Sequence, residues 1–272
     1  MANVDQLSQT PPPVGFRFDD RQVVVERDRQ VRKLECCGVN PAIWGSAADP
    51  SFFAFYTIMA QRWTGRSING NVHMSQAYIL NAALPLDVPL WMKGEVVKID
   101  PHPRGERVWA HFTFTDNDGI VRLRANRSSL NPGKTNADAP RISVPSLDLA
   151  NMELVNETIL EPDKVAAFSD EAENLIHSDP VTAKKFGFRA PIAGGLMASH
   201  IMLGGLVAEA DQGGISELEG EISFLRPMFW DERLRFIATP ADTAGPRLMT
   251  LIGDDDKPRC RATISHIRFG NG

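Results

Sequence analysis

Cysteine is scarce, and the three present, Cys36, Cys37 and Cys260, have no metal-ligand spacing and cannot all pair. The chain therefore reads as reduced and intracellular, with no disulfide framework or zinc site, and adjacent Cys36 and Cys37 read as buried small hydrophobes. Positive charge is also short. A formal net charge of -5 offers no basic field for a phosphate backbone and excludes nucleic acid as a partner. The opening MANVDQLSQTPPPVG lacks a cationic n-region and an apolar h-region. Its prolines mark an extended lead-in over residues 1–14, with no export expected. The ending HIRFGNG is not a peroxisomal address of the SKL type, so a cytoplasmic location is expected. The one long uncharged run, Pro191 to Ala208, contains His200 and four glycines and has no anchoring flanks. It reads as a helix wrapped by a sheet, with no membrane partner. Walker, dinucleotide and zinc signatures are missing, so no cofactor and no metal are expected.

What remains is an ordinary globular composition, 43% hydrophobic and 23% charged over 272 residues, enough for two units of roughly 130 residues. The chain repeats itself. Strand-like LWMKGEVVKID (Leu90 to Asp100) has a counterpart in FWDERLRFIAT (Phe229 to Thr239), with Trp91 and Trp230 about 139 residues apart. TDNDG at Thr115 to Gly119 and GDDDKP at Gly253 to Pro258 sit between β-rich runs as hairpin loops. A helix is expected over Asp49 to Trp63 in the first half and over Gly195 to Ala210 in the second. In the first, Phe52, Tyr56, Met59 and Trp63 recur at helical spacing as one stripe facing a sheet. Val108, Ala110, Phe112 and Phe114 share one face of a strand; Trp109, His111 and Thr113 share the other, so His111 reads as a surface histidine. The stretch Asn131 to Asn151, rich in Pro, Asn, Asp and Ser, reads as a linker. Residues 15–130 form one unit and 152–272 the other. Composition and spacing support an α+β fold.

The most informative segment is Phe168 to Leu196, FSDEAENLIHSDPVTAKKFGFRAPIAGGL, which places acidic residues, Asn174 and His177 before a glycine-rich helix start. It resembles the signature of the MaoC-like, or (R)-specific enoyl-CoA hydratase, family. Asn174, Ile176, His177, Asp179, Ala183, Pro191, Ile192, Ala193, Gly195 and Leu196 fall on family positions, whereas Leu175 replaces a Pro and Gly194 a His. The family's catalytic Asp lies five residues before the His, where this chain has Ala172; a one-residue insertion counted from Ser169 brings Glu171 onto that position. The resemblance implies a double hot-dog, with two sheets or one continuous sheet each wrapping a central helix. It also implies a homodimer, since hot-dog sheets often continue across dimers.

The implied chemistry is hydration of an enoyl thioester, or dehydration of a 3-hydroxyacyl thioester, on CoA or a carrier protein. His177 titrates near neutrality and is the candidate acid–base. Glu171 leads Asp170 and Glu173 as the carboxylate that shares the water, and Asn174 would orient one or the other. The Gly195 N–H, at the positive end of a helix and free of a side chain, is the oxyanion donor implied by the family. Ile192, Gly194 and Arg226 are assigned to substrate, Arg226 to a phosphate. Asp179 before Pro180 reads as an N-cap. In the first half the family's His position falls on Ile43 or Trp44 and its Asp position near Gly38. That half is expected to enclose the acyl chain, with Phe52, Phe53 and Phe55 as tunnel or core residues. Two other readings stay open: a hot-dog thioesterase, and, because of Ala172, a noncatalytic acyl-thioester binding subunit.

Overall fold

Two apolar stretches become the two long helices around which everything else is arranged. The computed structural model describes residues 10–68, 70–133, 138, 148–172, 174–242 and 244–270. In the first half, β1 (Arg17–Val23) and α1 (Arg27–Cys36) precede a 3₁₀ turn at Pro41–Trp44. The short β2 (Ala47–Ala48) leads to α2 (Pro50–Trp63), followed by β3 (Val72–Leu80) and β4 (Leu84–Pro85). Three long strands close the half: β5 (Leu90–His102), β6 (Gly105–Thr115) and β7 (Val121–Pro132). The second half opens with β8 (Glu153–Ile159) and α3 (Pro162–Phe168). Two 3₁₀ turns, Asp170–Ala172 and Leu175–His177, then lead to α4 (Pro180–Lys185) and α5 (Gly195–Ala210). The chain ends in β9 (Ile215–Phe224), β10 (Arg233–Ala238), β11 (Arg247–Ile252) and β12 (Pro258–Phe269).

One antiparallel sheet of ten strands runs in the order β1-β5-β6-β7-β3-β9-β12-β11-β10-β8, while β2 and β4 pair separately. Each half repeats the same internal order outward from the central β3–β9 pair, the arrangement of a duplicated unit. At that seam Tyr78 lies opposite Gly220 and Gln76 opposite Ile222, so the sheet continuity that a dimer of single hot dogs would supply is present inside one chain. Val108, Ala110, Phe112 and Phe114 of β6 are buried, and His111 is exposed, following the two-residue period.

Several sequence expectations need correction. The expected stripe is buried only at Phe52: Tyr56 and Met59 are half-buried and Trp63 is exposed, while Phe53, Thr57, Ala60 and Gln61 are buried. Phe53 packs edge-on against Phe114 with centroids 5.2 Å apart, whereas Trp63 is 37% exposed and stacks under the Arg21 guanidinium. The helix is apolar almost all round, so spacing alone does not set which side turns inward. Phe52 and Phe53 are core residues and Phe55 is half-buried. Cys37 is buried as expected, but Cys36 is half-buried. The Phe229 to Thr239 strand is shorter, Arg233–Ala238, with Phe229 in an isolated bridge to Ile192. Asn131 and Pro132 belong to β7; most of the rest of the linker stretch, like most of the lead-in, lies outside the described residues. The apolar helix α5 is buried along most of its length, and among the described residues no helix is long and apolar enough to cross a membrane.

Candidate active site

The two halves build the same local device twice and finish it differently. Asn40 caps its 3₁₀ turn by accepting the Ala42 N–H at 3.1 Å, and Asn174 caps the turn Leu175–His177 by accepting the Ile176 N–H at 3.4 Å. The first turn carries no titratable side chain; the second ends in His177. At the helix starts the contrast repeats. Asp49 caps α2, its Oδ1 accepting the Ser51 N–H at 2.8 Å, so the positive end of that helix is occupied by its own carboxylate. At α5 the cap is Gly194, which has no side chain to offer. Among the described residues the N-cap therefore gives the first-turn N–H groups, Gly195 foremost, no side-chain hydrogen bond.

His177 is held by the turn that leads into α5. Its Nδ1 lies 2.7 Å from the Ile192 carbonyl. A carbonyl only accepts, so Nδ1 carries the hydrogen and, in the neutral ring, Nε2 keeps the lone pair. Burial pulls the imidazole below its ordinary value, against the opposing pull of the Ile192 hydrogen bond. The turn itself is pinned: Ile192 N–H donates to the Ile176 carbonyl at 3.2 Å, Ala193 N–H to Met228 at 2.8 Å, and Trp230 N–H to Pro191 at 3.1 Å. Asp179 accepts from the Val181 and Thr182 N–H groups, starting α4 as its sequence context suggested.

Glu171 is drawn the other way. Its carboxylate accepts from Arg29 Nε and Nη2 of α1 at 2.7 to 3.0 Å, with Lys33 Nζ 3.5 Å away. Among the described residues no hydrogen bond joins Glu171 to His177. Burial pushes the Glu171 carboxyl up, but the Arg29 hydrogen bonds and charge, helped by Lys33, outweigh it and hold it below the usual carboxylate range. Arg29 lies over the rings of Phe52, Phe55 and Tyr56, with its guanidinium carbon 5.0 to 5.5 Å from their centroids. Lys33, almost fully buried, donates to the Ala167 and Phe168 carbonyls at 2.7 and 3.0 Å and pairs with Asp170. A cavity of about 330 Å³ opens between α1 and α3, lined by Lys33, Cys36, Lys164 and Glu171 among others. Glu173 lies outside the described residues.

The structure thus joins His177 to Ile192, which precedes Gly194 and Gly195 in the same turn, and puts Asn174 at the base of the His177 turn. Arg226 lies apart from these residues in sequence. It follows the end of β9 as an exposed side chain, its Nη1 donating to the Pro258 carbonyl at 3.0 Å. Residues that spacing could not reveal complete the surroundings. Phe224 packs over Gly195, where an added Cβ would meet its ring at 3.3 Å. The His73 ring of β3 lies tilted against Phe224 with centroids 4.7 Å apart, and burial and the Arg127 charge lower its pKa to about 3. Arg29 and Glu171 are separated by 142 residues, and no local pattern announces their pairing.

The family model described as MaoC like domain matches residues 150–247, the span that contains His177, the Ile192 turn and all of α5. No curated protein matches the chain by sequence. Among solved structures, HtdX from Mycobacterium tuberculosis is 16% identical, with 90% of this chain and 98% of that one aligned at a TM-score of 0.74. A MaoC-like dehydratase from Phytophthora capsici is also 16% identical, covering 98% of this chain and 100% of its own, TM-score 0.68. A further Mycobacterium tuberculosis protein, described as having a double hot-dog fold, is 12% identical with 98% coverage of both chains and a TM-score of 0.63. These likenesses carry the fold: the chain has a double hot-dog fold, and its residues 150–247 match the MaoC like domain model.

Proposed function

We propose that the protein adds water to an enoyl thioester, or removes it from the 3-hydroxyacyl thioester, with the acyl group carried on CoA or a carrier protein. The observation that supports this best is the hydrogen bond from His177 Nδ1 to the Ile192 carbonyl, which leaves Nε2 as a base in the loop leading to the Gly-capped helix start. In the hydration direction Nε2 takes a proton from water as the water oxygen bonds to C3. Charge then gathers on the thioester oxygen, where the Gly195 N–H and the α5 dipole stabilise it; a donor of this kind is worth on the order of 2.7 to 4 kcal/mol. The imidazolium returns the proton to C2, so the atoms of one water are accounted for. Glu171, kept anionic by Arg29, contributes position and fixed negative charge to the loop and does not carry the proton. Asn174 holds the turn on which His177 sits, Ile192 and Gly194 border the substrate, and exposed Arg226 offers its remaining donors to a thioester phosphate.

The test is incubation with crotonyl-CoA and with a longer and a branched enoyl-CoA, following loss of the double-bond absorbance and free thiol in parallel. Loss of the double bond without thiol supports the reading. Thiol release makes the protein a thioesterase, and saturable binding of all three thioesters without turnover makes it a binding subunit.

A further inference from the structure

The half that lacks a titratable loop residue nonetheless reaches the loop of the other half, and does so through a buried carboxylate and imidazole. Asp49 and His200 are 0% and 2% exposed, with Asp49 Oδ2 2.7 Å from His200 Nδ1. Asp49 has little freedom: its Oδ1 accepts from Ser51 N–H, and its own N–H donates to Gln30 Oε1 at 2.9 Å. A carboxylate accepts and cannot donate here, so it orients the ring with Nδ1–H toward α2. The His200 ring then lies against Phe52 at 4.4 Å and edge-on to Phe168 at 5.5 Å. Phe168 begins the loop that ends in His177, and its ring edge, with Ser169 Oγ, is the nearest neighbour of a Cβ built at Gly194, 3.8 Å away. From α1, Lys33 holds the backbone on both sides of the same ring, at the Ala167 and Phe168 carbonyls.

We infer that the N-terminal half acts as a clamp for the proton-transfer loop, with Asp49 and His200 as positioning residues working through Phe168. This rests on the function proposed above for the loop, and the test separates the two. Asp49→Asn keeps an oxygen for the Ser51 N–H, so the α2 cap survives, but it can set an amide N–H against His200 Nδ1–H. His200→Phe keeps a ring against Phe168 without the hydrogen bond, and it serves if the Asn variant does not fold. The expected result for either is a fall in kcat on the order of 10- to 100-fold with KM nearly unchanged, as for a misplaced reacting group. Faster hydrogen exchange of the amides between Ser169 and His177 accompanies it. A lower melting temperature with kcat and loop exchange unchanged would make the pair merely structural and overturn the inference. Should the wild-type protein turn over no enoyl thioester, the function reading fails, and loop exchange alone decides this one.

Discussion

The charge state of one imidazole governs the proposed reaction. His177 must be neutral at Nε2 to accept a proton from water, and burial lowers its pKa from the ordinary value of about 6.5. The neutral form therefore persists below that pH. The acid limb of kcat/KM is expected below about pH 6.5, and a limb well above it would assign the titration elsewhere. His177→Gln should fold normally and lose turnover by about 10²- to 10⁴-fold, the usual contribution of a positioned acid–base group. Glu171 bears on stability in a lower pH range. Its folded pKa is depressed, so the Arg29 pair contributes fully above the ordinary carboxylate value of about 4.3 and is lost as pH falls through the lowered one. Thermal denaturation of wild type and Glu171→Gln should differ at neutral pH and converge in acid. A Glu171→Gln variant with undiminished turnover would remove the carboxylate from the working site. The NLIHSD cluster was legible because its members are neighbours in sequence; the destination of Glu171 was not, since its partner sits on a helix 142 residues away.

Helix starts carry the next prediction. Asp49 and Gly194 cap α2 and α5 with similar extended backbones, φ −66° and ψ 126° against φ −63° and ψ 143°. Gly194→Asp should be conformationally acceptable, since a Cβ there meets nothing closer than 3.8 Å. The new carboxylate would plug the α5 start as Asp49 plugs that of α2. Turnover should collapse while the cap adds only about a few tenths of a kcal/mol of stability, because Gly is itself a tolerated N-cap; retained activity in a stably folded variant would show that this helix end does not bind the thioester oxygen. Farther along α5, a Cβ at Gly205 would come within 2.5 Å of the Phe236 ring. Gly205→Ala is therefore expected to destabilise by about 1 to 3 kcal/mol through overpacking, partly offset by about 1 kcal/mol of helix propensity, as chemical denaturation can measure. Both long helices were readable from their apolar runs. α1 was not: RDRQVRKLEC has only Val31, Leu34 and Cys36 as apolar residues, and its importance lies in what Arg29 and Lys33 reach across the fold.

Two halves joined through β3 and β9, by Asp49 with His200 and by Arg29 with Glu171 share one sheet and one core. Unfolding should accordingly appear as a single cooperative transition by near-ultraviolet dichroism and by calorimetry; two separated transitions would mean that the halves are independent. The duplication was visible in sequence through paired tryptophans and hairpin loops, because turns and strand patterns repeat locally. The proposed division of labour between the halves depends on contacts across the seam, and only three dimensions bring those together. The proposed reaction rests on proton transfer by His177 beneath the Gly-capped helix start of the second half. Steady-state hydration of a set of enoyl-CoA thioesters by wild type and His177→Gln tests it most directly: double-bond absorbance should fall with wild type, without thiol release, and remain nearly constant with the folded variant. Equal rates for the two proteins would contradict it.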